Sequence, residues 1–325
     1  MKKIYASRAS VVIYNFINSQ QFLKPFILPA NICPIVPAVF LKANKKMFFF
    51  DIEKDNFQMN KDNLLNVIRK YPKRFSGMLW MNGYGSEECN EDFFDKIKKI
   101  NDNFYIIDDR CLQKPLIKLR KSNADLVVFS TGYSKYVDLG SGGYGFIQKE
   151  LKYRKSDLIF NENDYNKIIN KFHRSINNKV PIKYNLNNWL GEETGITSNI
   201  KNYNNKIKMK LQASERHKNI INSVYEKNIN SSCKVPPEFC QWRYNILVNK
   251  KDLLLKNIFK NGLFASSHYY PSNLIFGHSN CKNSMYISNF VINLFNDQRY
   301  SKKQAIKTCE LINSHIKKYG VPNIL

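Results

Sequence analysis

The sequence predicts an α/β protein with a mostly parallel central sheet, helices on both faces of that sheet, and a smaller C-terminal α/β domain. In the first half of the 325-residue chain, short apolar runs alternate with helical patterns. The runs are apolar at consecutive positions, which is typical of strands covered on both faces. The length suits two domains, and we expect a large domain over residues 1–175 and a connecting helix with the small domain over residues 176–325.

The spacing of apolar residues defines each element of the first half. Residues 6–18 place apolar side chains on one helical face, and residues 61–71 do so with Leu64, Leu65 and Ile68. Residues 91–100 give a third helix. The predicted strands are short apolar runs, and they comprise residues 25–28, 47–51, 77–81, 104–107, 126–129 and 144–147.

The second half begins with a long, strongly basic helix over residues 199–227. A compact α/β unit follows, in which glycines mark two helix ends: Gly262 stops one helix and Gly320 closes the last. Its predicted strands are residues 242–248, 266–269 and 291–295, and its predicted helices are residues 251–260 and 302–318.

Composition limits the classes of function. The net charge of +25 favours polyanionic partners, but the lysines are dispersed and accompany many Asn and Ile residues, so we do not expect a nucleic-acid partner. No apolar run is long enough to span a membrane, and no signal peptide is visible. The seven cysteines form no C-x-x-C pair, which predicts free thiols in the cytoplasm and no metal site. Cys111 follows two aspartates, but a buried structural thiol is the interpretation that we favour over a catalytic one.

The segment with the most chemical content is VVFSTGYSKYVDLGSGGYGFI, residues 127–147. A buried strand runs out into Ser130, Lys135 follows five residues later, and three glycines then permit a tight return into the next strand. A lysine just past a strand end, if it lies in a pocket, is a candidate to attack a carbonyl and form a Schiff base. The alternative is an ordinary solvated loop lysine.

A second segment, FYIIDD at residues 104–109, favours the Schiff-base interpretation. A pyridine cofactor requires an acid beside its lysine, because a carboxylate keeps the ring nitrogen protonated and able to accept electrons. Asp109 is the candidate, whereas we expect Asp108 to be structural. Ser130 and a helix N-terminus formed by residues 7–10 could hold the cofactor phosphate through hydroxyls and free backbone N–H groups.

In their order and spacing, these segments resemble the DegT/DnrJ/EryC1/StrS family of sugar aminotransferases, which are pyridoxal-phosphate (PLP) enzymes of fold type I. The resemblance runs from about residue 7 to residue 316. Besides IIDD and FSTGYSK, it rests on residues 28–40 with 48–52 and on four later blocks: YNLNNWLGEETG at 184–195, WRYNILV at 242–248, GLFASSHYYP at 262–271, and VINLF at 291–295.

The resemblance implies that the cofactor is pyridoxal 5'-phosphate, carried as a Schiff base by Lys135, with Asp109 under the pyridine nitrogen. Cys33 lies near the position where an aromatic side chain commonly stacks on the cofactor, and Asn185 matches an asparagine that reaches the phosphate of the neighbouring subunit. The predicted phosphate contacts are Ser130, Ser7, Arg8 and Ala9, and the predicted substrate contacts are His268 and Tyr133.

The implied activity is transfer of an amino group, with glutamate as the expected donor, to a nucleotide-linked keto sugar for cell-surface polysaccharide (lipopolysaccharide) or related sugar biosynthesis. A homodimer whose two active sites are each built from both chains is also implied. Two alternatives remain open on the sequence. One is a non-catalytic relative with a regulatory or scaffolding role, and the other is a basic nucleic-acid-binding protein.

Overall fold

A seven-stranded sheet forms the centre of the larger part of the molecule, in the strand order β1-β7-β6-β5-β4-β2-β3. The computed structural model describes residues 1–156, 162–182, 200–277 and 280–323. The strands are β1 (Lys2–Ala6), β2 (Phe26–Pro29), β3 (Met47–Phe50), β4 (Gly77–Met81), β5 (Tyr105–Asp109), β6 (Leu126–Ser130) and β7 (Gly143–Ile147). Strands β3, β2, β4, β5 and β6 pair in parallel, whereas β7 is antiparallel to both β6 and β1. The predicted mostly parallel sheet is confirmed.

Helices cover both faces of this sheet, as predicted. Successive strand residues face opposite sides: Leu79 and Ile107 pack with α1 and α2, while their neighbours Trp80 and Ile106 pack with α3 and α4. This alternation between two apolar layers explains why the strands read as continuous apolar runs. The helices of this part are α1 (Ala9–Ser19), α2 (Ile35–Lys42), α3 (Lys61–Lys70), α4 (Glu91–Ile100) and α5 (Glu162–Asn178).

The C-terminal part contains a smaller α/β unit with a three-stranded antiparallel sheet, in the order β8-β10-β9. Its last helix ends before Gly320, as the sequence indicated, and begins with a capping box formed by Ser301 and Gln304 that was not predicted. The elements are α6 (Ile200–Asn228), β8 (Tyr244–Leu247), α7 (Lys251–Lys260), β9 (Ala265–Ser266), α8 (Ser272–Phe276), α9 (Lys282–Ser288), β10 (Val291–Leu294) and α10 (Lys302–Tyr319). None of the described helices is long and apolar enough to cross a membrane.

The two parts share some packing. Ile275 and Phe276 of α8 belong to the core of the large sheet, whereas Phe57 and Tyr84 pack into the core of the small unit. A domain boundary between residues 175 and 176 stays a prediction.

The N-terminal strand β1 is the main difference from the predicted elements. Residue 6, predicted to start a helix, instead pairs with Gly143 in β7, and α1 begins three residues later at Ala9. Strand β1 lies at the sheet edge and buries only Ile4 and Ala6, so its short alternating pattern is weak. Helices α2 and α5 were also not predicted.

Gly143 is the point where β7 passes the start of α1. A Cβ at this position would lie 2.1 Å from the Ala9 nitrogen and 2.5 Å from the Ala9 Cα. Only glycine allows this approach, because the atoms in the way are backbone and cannot rotate aside.

We expect Gly143→Ala to lower the free energy of unfolding by about 3 kcal/mol or more, since the start of α1 must move away from β7. Urea denaturation would measure the loss. Gly132→Ala is the matched control: its new Cβ would meet only the Ser130 Oγ, at 3.5 Å, so we expect a change within about 1 kcal/mol. An equal loss in both variants would contradict the steric argument.

Candidate active site

A cavity of about 500 Å³ opens at the carboxyl ends of β5 and β6. In open α/β sheets this edge is where ligands bind, because the loops that follow parallel strands meet there. The lining residues come from both halves of the chain, and those used below are Arg8, Ala9, Ser10, Cys33, Asp109, Cys111, Ser130, Gly132, Tyr133, Lys135, Tyr165 and Tyr269.

The register of β5 against β6 decides which aspartate reaches this cavity. Asp109 lies opposite Val128, lines the cavity and is only 7% exposed. Its carboxylate accepts a hydrogen bond of 2.9 Å from the Cys111 backbone N–H. Asp108 points to the other face of the sheet, where Arg110 Nε donates to its Oδ2 at 2.7 Å. Burial raises the pKa of Asp108 to about 6, although Arg110 opposes this shift. Asp108 therefore has the structural place that the sequence suggested.

Lys135 lies half-buried in the loop after β6 and lines the same cavity as Asp109. The charges of both residues act on the thiols of Cys33 and Cys111, which places the four side chains in one electrostatic environment. Burial raises the pKa of each thiol. Lys135 opposes that shift and Asp109 adds to it. Both cysteines are therefore neutral at physiological pH.

The N-terminus of α1 forms another wall of the cavity. Arg8, the N-cap residue, and the first helical residues Ala9 and Ser10 line it, so the positive end of the helix dipole faces the cavity. Ser7 is buried and does not line the cavity, but its carbonyl accepts a hydrogen bond of 2.6 Å from the Gly142 N–H. Ser7 thus ties the helix start to the loop that follows Lys135.

The small domain holds the Lys135 loop in place. Trp242 Nε1 donates to the Ser134 carbonyl at 2.8 Å, while the Ser134 N–H donates to Asp138 Oδ2 at 2.8 Å. Arg299 Nη2 donates to the same Asp138 oxygen at 3.0 Å. The Arg299 guanidinium also lies 4.5 Å from the centre of the Tyr133 ring. The residue before Lys135 is therefore bound on both its N–H and its carbonyl.

The remaining predicted site residues differ in their placement. Tyr133 lines the cavity and is 71% exposed, so it does not pack on the core. His268 is not among the lining residues; its ring lies beside Trp242, 5.8 Å between centroids. Burial, followed by the charges of Arg243 and Lys135, lowers the pKa of His268 to about 4, which keeps it neutral. Asn185 lies outside the described residues. The functional roles of all of these residues stay predictions.

The lining residues that the sequence analysis missed include Cys111 as a wall residue, Tyr165 on α5, and Tyr269. Tyr269 is adjacent to His268 in the 262–271 segment, and its ring is nearly parallel to that of Trp242, at an interplanar angle of 5°. Its phenol interacts electrostatically with Cys33 and Asp109. The two adjacent tyrosines at 269–270 were a sequence signal for an aromatic wall residue, but the sequence analysis selected the neighbouring His268 instead.

The fold is that of PLP-dependent sugar aminotransferases of fold type I. The PLP form of Spr1654 from Streptococcus pneumoniae has a TM-score of 0.70 at 15% identity, over 100% of this chain and 88% of that one. A DegT/DnrJ/EryC1/StrS aminotransferase from Brucella abortus has a TM-score of 0.66 at 14% identity, over 97% of this chain and 86% of that one. DesI, solved with its TDP-sugar product, has a TM-score of 0.68 at 11% identity, over 98% of this chain and 81% of that one. No protein-family model and no curated protein sequence matches the chain. The predicted fold resemblance is confirmed.

The hydrogen bond from Trp242 gives a test of how the Lys135 loop is held. In Trp242→Phe we expect the amides of residues 134–139 to exchange hydrogen about fivefold faster, because a hydrogen bond worth about 1 kcal/mol is lost. Hydrogen–deuterium exchange with mass spectrometry measures this.

Trp80→Phe is the matched control, since Trp80 is also buried and its Nε1 donates to Asn82 Oδ1 at 2.7 Å. It should speed exchange near Asn82 and leave the Lys135 loop unchanged. Unchanged exchange at 134–139 in Trp242→Phe would show that the small domain does not hold the loop.

Proposed function

We propose that this protein is a PLP-dependent aminotransferase that transfers an amino group, with glutamate as donor, to a nucleotide-linked keto sugar. The observation that carries the proposal is the meeting of Lys135 and Asp109 in one cavity, at the carboxyl ends of adjacent parallel strands. Neither side chain is needed for core packing. A non-catalytic relative has no evident reason to keep both.

The donor set of the cavity fits pyridoxal 5'-phosphate. Asp109 offers a buried carboxylate that would bind a protonated pyridine nitrogen, and Lys135 offers a primary amine for the aldehyde. Arg8, the first turn of α1 and the Ser130 hydroxyl would hold the phosphate. Cys33 and Tyr269 lie where they would contact the ring. The cavity volume of about 500 Å³ is that of an ordinary cofactor or ligand site.

When bound, PLP supplies an aldehyde that condenses with amines and a ring that accepts electrons from the adjacent carbon. The chain supplies the proton chemistry. The amine of Lys135 would act as a general base that takes the proton from the donor Cα, and then as a general acid that delivers it to the cofactor. The Asp109 carboxylate would favour a protonated ring nitrogen, and the hydrogen bond that it accepts from the Cys111 N–H fixes its orientation.

Two further observations support the sugar substrate. DesI, which shares the fold, was solved with a TDP-sugar product, and a net charge of +25 favours a substrate that carries phosphates. We further propose a homodimer in which Asn185 of one chain reaches the phosphate site of the other, and a role in cell-surface polysaccharide synthesis in the cytoplasm. The oligomeric part rests on the family resemblance alone.

The cofactor assignment predicts that the protein with added PLP absorbs visible light and that glutamate removes this absorbance. Borohydride reduction followed by peptide mass spectrometry should place the label on Lys135. Lys135→Ala should lose both signals, whereas Lys149→Ala, at an exposed lysine just after β7, should keep them. A wild-type protein that takes up no PLP would leave the non-catalytic alternative.

The role of Asp109 predicts that Asp109→Asn slows the reaction with glutamate by roughly 10²-fold or more, because the neutral amide no longer favours a protonated ring nitrogen. Stopped-flow absorbance of the PLP-loaded protein measures the rate. Asp108→Asn is the control on the opposite face of β5, and we expect its rate to stay within about tenfold of the wild-type rate. Similar losses in both variants would mean that the strand is disturbed and that Asp109 has no specific role.

A further inference from the structure

A second cavity, of about 230 Å³, lies next to the first and shares Lys135 with it. Its walls come from three places: the loop after β6, one face of α6, and the loop after β10, which contributes residues 297–299. A group bound at the amine of Lys135 can therefore extend into this cavity. The volume is below the range of sites that hold a whole drug-sized ligand, so it suits one substituent of a substrate.

The α6 face presents Lys210, Ser214 and Lys218, which follow one another at four-residue steps and so lie in one row. Lys218 is only 4% exposed, and its ammonium donates to the Trp242 carbonyl at 2.7 Å and to Asn296 Oδ1 at 2.8 Å. An ammonium carries three donors, so one of the Lys218 N–H groups is still available. Lys210 is exposed, which places its charge at the solvent side of the row.

The carboxylates of this cavity are already paired with arginines. Arg299 Nη2 lies 3.0 Å from both Asp138 Oδ2 and Asp297 Oδ2, and Arg243 lies 3.4 Å from the same Asp297 oxygen. Although burial opposes it, the hydrogen bond from Arg299 and the charge of Arg243 lower the pKa of Asp297, which is therefore ionised. Within the described residues, no ion pair involves Lys210 or Lys218.

The charge balance of the cavity is consequently positive. Lys135, Lys210, Lys218 and Arg299 face two aspartates, which leaves two positive charges in excess when Lys218 is protonated and one when it is neutral. Burial and the nearby Arg243 also lower the pKa of Lys218 to about 7, so its charged form is unfavourable as the protein stands. A bound anion would offset this unfavourable burial of a cation.

We propose that this cavity is a subsite for an oxyanion group of the substrate, held by Lys210 and Lys218 beside the reacting amine of Lys135. The group is either the carboxylate of the amino donor or a phosphate of the nucleotide-linked sugar, and both offer the acceptor oxygens that ammonium groups bind. The assignment of this oxyanion to a substrate rests on the proposed function. The proposal that the cavity binds an anion is independent of that function.

The test is calorimetric titration of the PLP-loaded protein with two probes, glutarate for the carboxylate source and inorganic pyrophosphate for the phosphate source. We expect one probe to bind the wild type and to bind Lys210→Gln and Lys218→Met about tenfold more weakly, since each loses one charge-assisted hydrogen bond. The probe that responds identifies the source.

Lys208→Gln is the matched control, because Lys208 is an exposed lysine of the same helix that does not line the cavity, and the change in net charge is the same. Its affinity should equal that of the wild type. Lys210 is exposed, so Lys210→Gln should fold even if the buried Lys218→Met does not.

Equal affinities in Lys210→Gln, Lys208→Gln and the wild type, or no binding of either probe, would overturn the subsite. Failure of the protein to take up PLP would instead overturn the proposed function. The titrations can be repeated on the protein without PLP, and their dependence on Lys210 would still decide the subsite.

Discussion

The parallel pairing of β5 with β6 is the constraint on which the candidate site depends. Asp109 lies opposite Val128, so the carboxyl ends of the two strands are level and the loop that carries Lys135 leaves the sheet beside the aspartate. Because side chains alternate along a strand, a shift of one residue in β5 would turn Asp108 into the cavity and bury Asp109 on the other face. Arg110 reinforces the observed register, since on that face its guanidinium pairs with Asp108 and also lies 3.8 Å from Glu91 Oε1, at the start of α4.

The candidate site also requires that the loop carrying Lys135 be held in one conformation. The small domain contributes to this through a hydrogen bond from Trp242. Ser134 has a left-handed backbone conformation, with φ of 60°, which is unfavourable for a side-chain-bearing residue. Two hydrogen bonds offset that cost: the Ser134 N–H donates to Asp138 Oδ2, and the Ser134 carbonyl accepts from Trp242 Nε1. The position of Lys135 therefore depends on residues more than a hundred positions later in the chain, and the two parts of the fold are connected through the loop that carries Lys135.

The sequence predicts those elements that are determined by local residue patterns, and it does not predict those that are determined by long-range contacts. Strand β4 and helices α4 and α7 were predicted at their observed bounds, because buried apolar runs and helical spacing are visible in single segments. Strand β1 exists only because β7 pairs with it. For the site, strand ends, spacing and the family resemblance singled out Asp109, Ser130 and Lys135, which line one cavity in the structure. The hydrogen bond from Trp242 to the Ser134 carbonyl depends on how the small domain packs against the loop after β6, and no local sequence pattern predicts it.

Burial also decides which nucleophile the cavity presents. Cys33 and Cys111 lie beside Lys135, and a thiolate at either position would compete with its amine for a bound carbonyl compound. Burial raises the pKa of both thiols, and the carboxylate of Asp109 raises them further. Both are thus held as thiols, which are poor nucleophiles. Desolvation is the main cause for both thiols, so it is burial more than the charge of Asp109 that keeps them from competing with the amine of Lys135.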